Sequence, residues 1–383
     1  MFHVNGNGLV ARQKAQFLLP SSRQKGLLDL VATFGQMRPA FINDTILLCH
    51  RQLPASEERF SMSLRFGLFV PQGWRMDLVG IADPVEAYET MARVALEADA
   101  LGYHSVWLFD HFHTVPTPTQ EVTFECWSST AALARDTGRI RIGQMVTCNG
   151  YRHPALLAKM AGTVDVLSHG RLDFGIGAGW YEHEYHAYGY DYPNVSERLR
   201  ALREAVQVIL AMWTQEEARF EGSYYQVRGA INQPKGVQLP HIPLLIGGSG
   251  EQVTLKLVAQ YAVACNITNP DIATLEHKLA ILKNHCEALG SDYQSIKRTV
   301  LLMCAIAEKD EQAALKIGSL ERDAQSQADL SRVRERALIG TPETIRRRLA
   351  AYEQAGAQEI IVYMPDAATL ESVRLFARAC MGT

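Results

Sequence analysis

From residue 63 onward the sequence repeats one unit, in which a helical stretch ends at a glycine and an apolar, β-rich run begins shortly afterwards. Gly102 precedes SVWLF, Gly138 precedes IRIGQMVT, Gly170 precedes LDFGIG and Gly356 precedes EIIVYM. Because glycine adopts the left-handed conformation that commonly ends a helix, we expect all four glycines to lie just past a helix. The chain is therefore expected to alternate helices with strands.

The alternation predicts eight strands and eight helices. The strands are expected near residues 64–70, 105–109, 141–147, 172–177, 243–246, 262–267, 299–306 and 359–363. The helices are expected near residues 84–100, 124–136, 154–167, 196–213, 250–260, 272–289, 310–328 and 342–354. The strands are apolar runs without strict alternation, which is typical of a parallel sheet covered by helices. Eight such units favour a closed (β/α)8 TIM barrel, and an open doubly wound sheet is the alternative.

Two segments do not fit the repeated unit. Residues 214–242 are rich in Gly, Tyr and Pro, and they predict an inserted hairpin or loop. In residues 1–62, Gly, Asn and Gln interrupt any helical period, and no apolar region is followed by a cleavage site. We therefore predict an irregular, disordered N-terminal extension over residues 1–62, followed by one barrel domain with its insertion over residues 63–383.

The amino-acid composition indicates which kinds of partner the protein is not expected to bind. A net charge of -3, with 47% hydrophobic and 21% charged residues, gives no reason to expect nucleic acid or a membrane surface. No apolar run approaches the roughly 18–20 residues that cross a bilayer. The seven cysteines are scattered without a C-x-x-C pair, so we predict reduced thiols in a cytoplasmic protein and neither a disulfide framework nor a zinc site.

Polar residues collect where the predicted strands end. DHFHTVP follows the second strand at 110–116, GAGWYEHEYHAYG follows the fourth at 177–189, and GGSG follows the fifth at 247–250. In a TIM barrel the active site lies at the carboxyl ends of the strands. The sequence therefore predicts a single active site at this face, acting on a small molecule.

The two glycine-rich turns indicate what binds there. At Gly177 and Gly179 the absence of side chains would let a flat or anionic ligand approach the backbone closely. The turn at 247–250 is expected to open a helix, so that backbone N–H groups and the helix dipole point at a bound anion, with Ser249 as a further donor. Glycine in a tight turn without any ligand is the alternative for each turn alone. Two such turns on one face favour a phosphorylated ligand.

The segment Asp110-His111-Phe112-His113 contains H-x-H, a spacing that metal-dependent barrel hydrolases also carry at a strand end, so metal ligation is an alternative. Those hydrolases place the pair on the first strand and need further histidine ligands on later strands. Here the fifth, seventh and eighth strands end without histidine. We therefore predict no metal site, a functional His111, and a His113 that faces solvent or stacks on Phe112.

Several long stretches resemble the bacterial luciferase-like monooxygenase superfamily, and within it the oxidoreductases that depend on the deazaflavin coenzyme F420. They are FGLFVPQ, SVWLFDHF, IRIGQMVTCNGYRHPALLAKMAGTVDVLSHGRLDFGIGAGWYEHEYHAYG, PLLIGGSGEQVTLKLVAQYA and LIGTPETIRRRLAAYEQAGAQEIIVY. The resemblance covers roughly residues 63–383. It implies a (β/α)8 barrel that forms a homodimer and has an insertion near its active site, which matches residues 214–242.

The resemblance also implies a set of site residues. It places Asp110 and His111 beside the deazaflavin ring, with Thr147 in contact with the cofactor. It further implies a non-prolyl cis peptide bond between Met145 and Val146 at the back of the ring. Two glycine segments would hold the polar tail and the phosphate, and their residues are Gly177, Ala178, Gly179, Gly247, Gly248 and Ser249.

The sequence departs from the sugar-phosphate dehydrogenases of this family at two places. Those enzymes carry a Trp four residues after the histidine and a Glu after the glycines of the fourth strand. This chain has Val115 and Trp180 there. The catalytic set of those dehydrogenases is therefore absent, and glucose 6-phosphate is not the expected substrate.

From these observations we predict an oxidoreductase that transfers a hydride between coenzyme F420 and an organic substrate. An imidazole can give a proton at neutral pH, so His111 is the first candidate for the proton donor, with Glu182 or Tyr181 second. The alternative within enzymes is a luciferase-like monooxygenase that uses flavin mononucleotide (FMN) and oxygen. Alternatives from other classes are a metal-dependent hydrolase and a cofactor-binding protein without turnover.

Overall fold

The structure of the protein, a computed structural model, describes residues 64–317 and 327–382, with side chains from residue 331 onward in the second range. The predicted N-terminal extension, residues 1–62, lies outside the described residues. Its irregular character and the domain boundary at residue 63 therefore stay predictions.

Strands and helices alternate through most of these ranges. The strands are β1 (Arg65–Phe69), β2 (Ser105–Leu108), β3 (Arg141–Gln144), β4 (Thr147–Cys148), β5 (Leu172–Gly177), β6 (Ala218–Glu221), β7 (Gln226–Ala230), β8 (Leu244–Gly247), β9 (Ala264–Thr268), β10 (Lys297–Ile306), β11 (Leu338–Gly340) and β12 (Glu359–Tyr363). The α-helices are α1 (Pro84–Ala100), α2 (Cys126–Asp136), α3 (Pro154–Leu167), α4 (Glu182–Ala187), α5 (Val195–Thr214), α6 (Thr254–Tyr261), α7 (Ile272–Leu289), α8 (Asp310–Lys316), α9 (Gln327–Arg336), α10 (Pro342–Gln354) and α11 (Glu371–Phe376).

Eight parallel strands close into a barrel. Their order around the ring is β1, β2, β3, β5, β8, β9, β10 and β12, and β12 pairs with β1 to complete it. Two short strands lie outside the ring order, with β4 paired to β5 and β11 paired to β10. The predicted TIM barrel is confirmed, and the open doubly wound sheet is excluded.

Side chains that alternate along the strands build two apolar layers. On β2, Val106 and Leu108 belong to the buried cluster between strands and helices, whereas Trp107 belongs to a second cluster inside the barrel. On β12, Val362 belongs to the outer cluster and Ile361 to the inner one. Because successive side chains of a strand point to opposite faces, a continuous apolar run fills both layers.

Ion pairs lie at the amino ends of the barrel strands. Glu359, which is buried, accepts a hydrogen bond from the Ser105 hydroxyl at 2.5 Å and lies 2.8 Å from the Lys297 ammonium. Nearby, Arg141 donates two hydrogen bonds of 2.8 Å to the Asp173 carboxylate. These opposite charges compensate one another inside the barrel, at the amino ends of its strands.

The inserted segment at residues 214–242 contains an antiparallel hairpin formed by β6 and β7, as predicted. Glu204 of α5 accepts hydrogen bonds from the backbone N–H groups of Ser223, Tyr224 and Tyr225, which lie in the turn of the hairpin. The hairpin is thereby attached to α5. No helix in the described ranges is both long and apolar enough to cross a membrane.

Three local predictions were wrong. The predicted strand 141–147 is divided, because a cis peptide bond joins Met145 to Val146 and the register against β5 shifts by one residue between Gly143 and Thr147. The helix predicted from residue 250 begins at Thr254. Gly138 is not left-handed, because Thr137 ends α2 in an extended conformation, whereas Gly102, Gly170 and Gly356 have the expected positive φ.

Further differences from the predicted pattern concern α4 and the C-terminal third of the chain. The helix predicted over 310–328 is described as α8 at its start and α9 from Gln327, and residues 318–326 between them lie outside the described part of the chain. The short helix α4 and the short strand β11 were not predicted. Both are shorter than the windows in which hydrophobic periodicity is informative.

Candidate functional site

A cavity of about 450 Å3 lies at the carboxyl ends of the barrel strands. Most of the residues predicted for the site line it together: Asp110, His111, Met145, Val146, Gly177, Ala178, Gly179, Gly247, Gly248 and Ser249. They come from the ends of four strands, β2, β3, β5 and β8, which a parallel barrel brings to one face.

The segment after β1 is fixed onto the end of β2 by a buried glutamine. The Gln72 amide donates to the carbonyl oxygens of Phe109 and Phe124 at 2.8 and 2.6 Å, and its oxygen accepts from the Phe109 N–H at 2.8 Å. This attachment places the Trp74 indole against the His111 ring, with centroids 4.0 Å apart and an angle of 5° between the planes. One wall of the cavity is therefore a stack of flat rings.

Asp110 is a buried anchor at the end of β2. Its carboxylate accepts two hydrogen bonds from Arg152, at 2.7 and 3.0 Å, and one from the Cys148 N–H at 2.9 Å. Arg152 also donates to Glu125 at 2.5 Å. Asp110 thus ties the end of β2 to the end of β4, and the arginine compensates its negative charge inside the protein.

His111 is held by a carboxylate from α4. Its Nδ1 lies 2.8 Å from Oε2 of Glu184, and the side chain of Glu184 is fully buried. An ionised carboxylate can only accept, so Nδ1 carries the proton of this hydrogen bond. Nε2 is therefore the ring nitrogen that remains for a ligand in the cavity.

The Glu184 carboxylate has four hydrogen-bond donors around it. Besides His111, it accepts from the N–H groups of Phe112 and His113, at 2.6 and 2.8 Å, and from the Tyr151 hydroxyl at 2.7 Å. Burial raises the pKa of Glu184, but the hydrogen bonds and the charge of His111 outweigh this effect, so its pKa lies below the usual value. Burial also raises the pKa of Tyr151 well above its usual range, so that this hydroxyl keeps its proton and donates.

Val146 projects between glycines of two neighbouring strands. A methyl group added to Gly177 would lie 2.7 Å from a γ-carbon of Val146, and one added to Gly247 would lie 2.6 Å from the other γ-carbon. These two glycines were predicted to let a ligand approach the backbone. In the structure their missing side chains first make room for Val146, which then forms part of the cavity wall.

Gly179 is required for a different reason. Its φ of +78° lies in the left-handed region, and an added methyl group would lie 2.1 Å from the Tyr185 hydroxyl. That hydroxyl lies 3.0 Å from the Cys148 sulfur, and burial raises the pKa of the Cys148 thiol to about 12. Cys148 is therefore a neutral packing residue in the cavity wall and not a nucleophile.

The glycine turn after β8 leads into α6. Gly248 has a φ of +109°, and Gly250 and Thr254 also line the cavity. The residue before α6, Val253, provides no side-chain cap. No side chain caps the first N–H groups of α6, although the Leu255 N–H already donates to the Gly250 carbonyl oxygen at 3.0 Å. Helix amino ends without a side-chain cap are a common place for anions to bind.

Other residues predicted for the site lie elsewhere. Thr147 is buried behind the wall, where its hydroxyl accepts from the Trp127 indole at 3.2 Å, and it does not line the cavity. Glu182 is exposed at the start of α4 and does not line it either. Tyr181 does line it, with its ring 5.9 Å from that of His111. His113 lies outside the lining, and its ring is 5.1 Å from His183 instead of on Phe112.

Glu184, Trp74 and Arg152 were missed in the sequence. Arg152 had a usable signal, because it follows the third predicted strand on the face where Asp110 ends the second. Glu184 had a weaker signal, since EHEYH (182–186) contains two glutamates and only the burial pattern of α4 distinguishes Glu184 from Glu182. In the described ranges no group of three or more His, Cys, Asp or Glu side chains is placed to hold a metal ion.

The fold and the cavity together define a TIM-barrel enzyme with room for a flat, phosphate-bearing cofactor. The sequence profile of the luciferase-like monooxygenase family matches residues 64–359, and the chain belongs to this family. The predicted family is therefore confirmed. The metal-dependent hydrolases that H-x-H also suggested are a different class of barrel enzyme.

Individual relatives agree with this assignment. The chain is 28% identical to an F420-dependent glucose-6-phosphate dehydrogenase of Gordonia bronchialis over 306 residues, which cover 77% of this chain and 84% of that protein. It is 26% identical to the oxygenase component of a flavin-dependent trigonelline monooxygenase of Acinetobacter baylyi over 265 residues, 66% of this chain and 68% of that protein. The protein is thus an oxidoreductase or monooxygenase, as predicted.

A solved structure shows the same fold. The structure of an F420-dependent secondary alcohol dehydrogenase in complex with an F420–acetone adduct superposes with a TM-score of 0.70 at 19% identity, covering 84% of this chain and 99% of that one. At this identity the comparison establishes a shared barrel architecture.

Proposed function

We propose that the protein is an F420-dependent oxidoreductase in which His111 is the proton donor. The observation that carries the proposal is the fixed imidazole, whose Nδ1 lies 2.8 Å from the buried Glu184 carboxylate while the ring lines the cavity. A general acid must be held within reach of the reacting atoms, and this arrangement directs Nε2 away from Glu184.

The residues of the cavity fit the deazaflavin. Val146 and the glycines around it form a wall with little side-chain bulk, against which a flat ring can lie. The glycine turn from Gly247 to Gly250 and the start of α6, which no side chain caps, would offer backbone donors for the phosphate, apart from the Leu255 N–H, which donates to Gly250. Asp110, His111, Met145, Val146 and the two glycine segments are therefore proposed as cofactor-binding residues.

When bound in its reduced form, the deazaflavin supplies a hydride from its C5 to an electron-poor carbon, such as that of a conjugated enone, imine or quinone. For the proton, His111 would act as the imidazolium, giving its Nε2 proton to the acceptor atom that gains the negative charge and keeping the Nδ1 proton in the hydrogen bond to Glu184. The stacked Trp74 and the edges of Trp180 and Tyr181 surround the imidazole and restrict water. Glu184 keeps the ring in one orientation throughout.

Two residues that the sequence predicted for the site have neither a catalytic role nor contact with the cofactor in this proposal. Glu182 is exposed and outside the lining, so we do not assign it a catalytic role. Thr147 supports the wall from behind through Trp127, so we propose a positioning role for it instead of contact with the cofactor.

A second candidate is an FMN-dependent monooxygenase. The similarity to the flavin-dependent trigonelline monooxygenase favours it, because FMN and F420 share their ring shape and phosphate. The same wall of the cavity would hold either ring.

Parallel equilibrium titrations of the purified protein with oxidised F420 and with FMN distinguish the two candidates. We expect F420 to bind at least tenfold more tightly, which corresponds to about 1.4 kcal/mol. Tighter binding of FMN would reject the F420 proposal, and binding of neither cofactor would reject both.

We further propose a homodimer and a cytoplasmic location. The six described cysteines form no disulfide with one another, which suits a reducing compartment. On α3, Leu156 and Val166 are exposed apolar side chains that a second copy of the chain could cover. Sedimentation equilibrium would give the mass of the assembly, and a monomer would reject the dimer.

A further inference from the structure

The cavity has two halves, which different strands of the ring supply. The residues proposed for the cofactor follow β2, β3, β5 and β8, which are four consecutive strands. The other half is lined from β9, β10, β12 and the segment after β1, by residues that include Asn266, Asn269, Leu301, Met303, Tyr363 and Trp74. None of these residues belongs to the proposed cofactor site, so this half has room for a second reactant.

The second half is mainly apolar. Trp74, Leu301 and Tyr363 are buried, and together with the partly buried Met303 they belong to the apolar cluster inside the barrel. In ligand cavities, apolar walls bind the apolar part of a ligand, and a small number of polar groups fix its orientation. A reactant in this half is therefore expected to be largely apolar.

The charges of the lining are compensated within the protein. Among the described residues, the lining includes three side chains of the Asp, Glu, Lys, Arg and His types, those of Arg75, Asp110 and His111. Asp110 pairs with Arg152, and His111 pairs with Glu184. Neither pair leaves a charge that calls for an opposite charge on the ligand.

Arg75 is compensated in another way. Its guanidinium carbon lies 5.0 Å from the centre of the Trp74 ring and 5.3 Å from that of Tyr363. Burial raises the pKa of Asp77 to about 6, and the charge of Arg75 acts against this rise. At neutral pH the Asp77 carboxylate is therefore mainly ionised and balances Arg75. The cavity thus fits an uncharged second reactant.

Asn269 provides a hydrogen-bond donor in the apolar half. It follows β9 with a left-handed φ of 45°, and its backbone N–H donates to the Leu301 carbonyl oxygen at 2.8 Å. Its Oδ1 accepts from the Met303 N–H at 3.3 Å, which leaves the NH2 group of the amide for a ligand. Within the described part of the chain, this NH2 group has no acceptor, although Asn269 lines the cavity.

The neighbouring amide differs from that of Asn269. Asn266 donates from Nδ2 to the Thr299 hydroxyl at 2.9 Å and accepts at Oδ1 from the Thr268 hydroxyl at 3.2 Å. Both ends of the Asn266 amide are therefore used within the protein. Asn269 is the amide that can bind an oxygen atom of the reactant.

Asn269 and His111 lie on opposite sides of the cavity. In the ring order β1, β2, β3, β5, β8, β9, β10, β12, strand β9 is opposite β2. A reactant between them can accept a hydrogen bond at one atom from Asn269 and receive a proton at another atom from His111. Two separate atoms of this kind are present in a carbonyl group conjugated to a carbon–carbon double bond.

We propose that the second reactant is an uncharged, largely apolar α,β-unsaturated carbonyl compound. Its carbonyl oxygen accepts a hydrogen bond from the Asn269 amide, and its α-carbon lies beside Nε2 of His111. This assignment rests on the proposed oxidoreductase function, because it names the substrate class of that same site.

The reaction of such a compound uses both side chains. The β-carbon receives the hydride, the electron pair of the double bond moves toward the carbonyl group, and negative charge develops on the oxygen, where the Asn269 amide stabilises it. The His111 imidazolium then gives its Nε2 proton to the α-carbon, and the carbonyl double bond forms again. The product is the saturated carbonyl compound, which has gained one hydride and one proton.

The binding test uses three probes of matched size. Benzylideneacetone is the uncharged enone, trans-β-ethylstyrene lacks its oxygen, and trans-cinnamate replaces the methyl ketone by a carboxylate. Calorimetric titrations at pH 7 are run on the full-length protein, first alone and then saturated with whichever cofactor it binds. We expect benzylideneacetone to bind about fivefold more tightly than β-ethylstyrene, through one hydrogen bond, and about tenfold more tightly than cinnamate, whose charge must lose its water. Equal or tighter binding of either other probe, or no binding of benzylideneacetone at millimolar concentrations, would overturn the proposal.

Two variants assign the preference to Asn269. Asn269→Asp keeps an oxygen for the Met303 N–H but removes the NH2 donor, and Asn269→Gly removes the side chain while permitting the left-handed φ. In both variants the preference for benzylideneacetone over β-ethylstyrene should disappear. Asn284→Asp is the control, since it makes the same change at an exposed position of α7 outside the lining. A preference that survives in either Asn269 variant, or disappears in Asn284→Asp, would contradict the role of Asn269.

The product of the reaction tests the orientation. With protein that holds reduced F420, we expect benzylideneacetone to give the saturated ketone, because the α-carbon lies beside His111. Formation of the allylic alcohol instead would place the carbonyl oxygen beside His111 and overturn the assignment to Asn269.

The outcomes separate this inference from the proposed function. If F420 does not bind but the protein prefers benzylideneacetone, and loses that preference in the Asn269 variants, the proposed function fails and the substrate class remains. If F420 binds and the preference is absent, only the substrate class fails. Loss of benzylideneacetone binding on saturation with cofactor would place the probe in the cofactor's half of the cavity and overturn the substrate class.

Discussion

Nδ1 of His111 lies 2.8 Å from Oε2 of Glu184, and the other oxygen of this buried carboxylate accepts hydrogen bonds from the backbone N–H groups of Phe112 and His113. One side chain of α4 therefore fixes both the orientation of the imidazole and the path of the backbone that follows β2. A helix that the sequence did not predict thus positions the residue proposed as the proton donor.

The stability of the protein should depend on pH through Glu184. Its pKa in the folded protein is lowered, so its stabilising contribution is present above the usual carboxyl value of 4.5 and is lost as the pH falls through the folded pKa. We expect Glu184→Gln to lower the free energy of unfolding by about 1–3 kcal/mol near pH 7, because charged hydrogen bonds are lost. Urea unfolding near pH 7 and near pH 4 measures the difference in free energy of unfolding between the wild-type protein and the variant. This difference should be smaller at the lower pH. An equal difference at both values would contradict the ionised Glu184.

Removal of the imidazole should affect chemistry more than binding. We expect His111→Ala to slow reoxidation of the bound reduced cofactor by an acceptor roughly 10²–10⁴-fold, the usual contribution of a general acid. Cofactor affinity should change little in comparison. His113→Ala is the matched control, because His113 lies two residues away and outside the cavity lining. Stopped-flow absorbance measures the rate of cofactor reoxidation in both variants. An unchanged rate in His111→Ala would show that His111 is not the proton donor.

The packing of Val146 can be tested by a substitution at Gly247 of β8. An alanine at position 247 would place its methyl group 2.6 Å from Val146, which must then move. We expect Gly247→Ala to weaken cofactor binding about tenfold and to cost about 1–3 kcal/mol of stability through overpacking. Gly138→Ala is the control, since its methyl group would approach nothing closer than 3.7 Å. Cofactor titrations that give the same affinity for both variants would show that Val146 does not shape the cofactor site.

The buried pair of Asp110 and Arg152 should matter far more for stability than a surface pair. Arg152→Met leaves the Asp110 carboxylate buried without its partner, and we expect a loss of about 3–5 kcal/mol. The comparison is Arg139→Met, because Arg139 is largely exposed and pairs with Asp99, for which about 0–1 kcal/mol is expected. Chemical unfolding of both variants gives the two values. Similar losses would mean that Asp110 is solvated and not an anchor.

Much of the fold followed from local patterns in the sequence. Glycines after helices and apolar runs between them predicted the eight barrel strands, and parallel strands necessarily gather their carboxyl ends at one face. That rule alone placed His111, Gly177 and Gly247 around one cavity. The resemblance to a family added the cis bond between Met145 and Val146, which the structure contains.

The rest depended on contacts between residues distant in the sequence. Glu184 contacts His111 across 73 positions of sequence, and nothing in EHEYH indicates which of Glu182 and Glu184 turns inward. Gly177 and Gly247 were predicted to let a ligand approach the backbone, but the side chain that occupies their space is that of Val146, between β3 and β4. Sequence patterns indicate which backbone conformation a residue permits. They do not indicate which neighbouring side chain packs into the space beside it.

Hydride transfer from bound F420 can be measured by an anaerobic mixing experiment on the wild-type protein. Protein holding reduced F420 is mixed with conjugated enones and quinones, including ones with a carboxylate, and the absorption of the oxidised deazaflavin is followed with time. We expect this absorption to reappear rapidly without oxygen in the wild-type protein, and much more slowly in His111→Ala. Failure of every acceptor to restore this absorption without oxygen would contradict hydride transfer from F420.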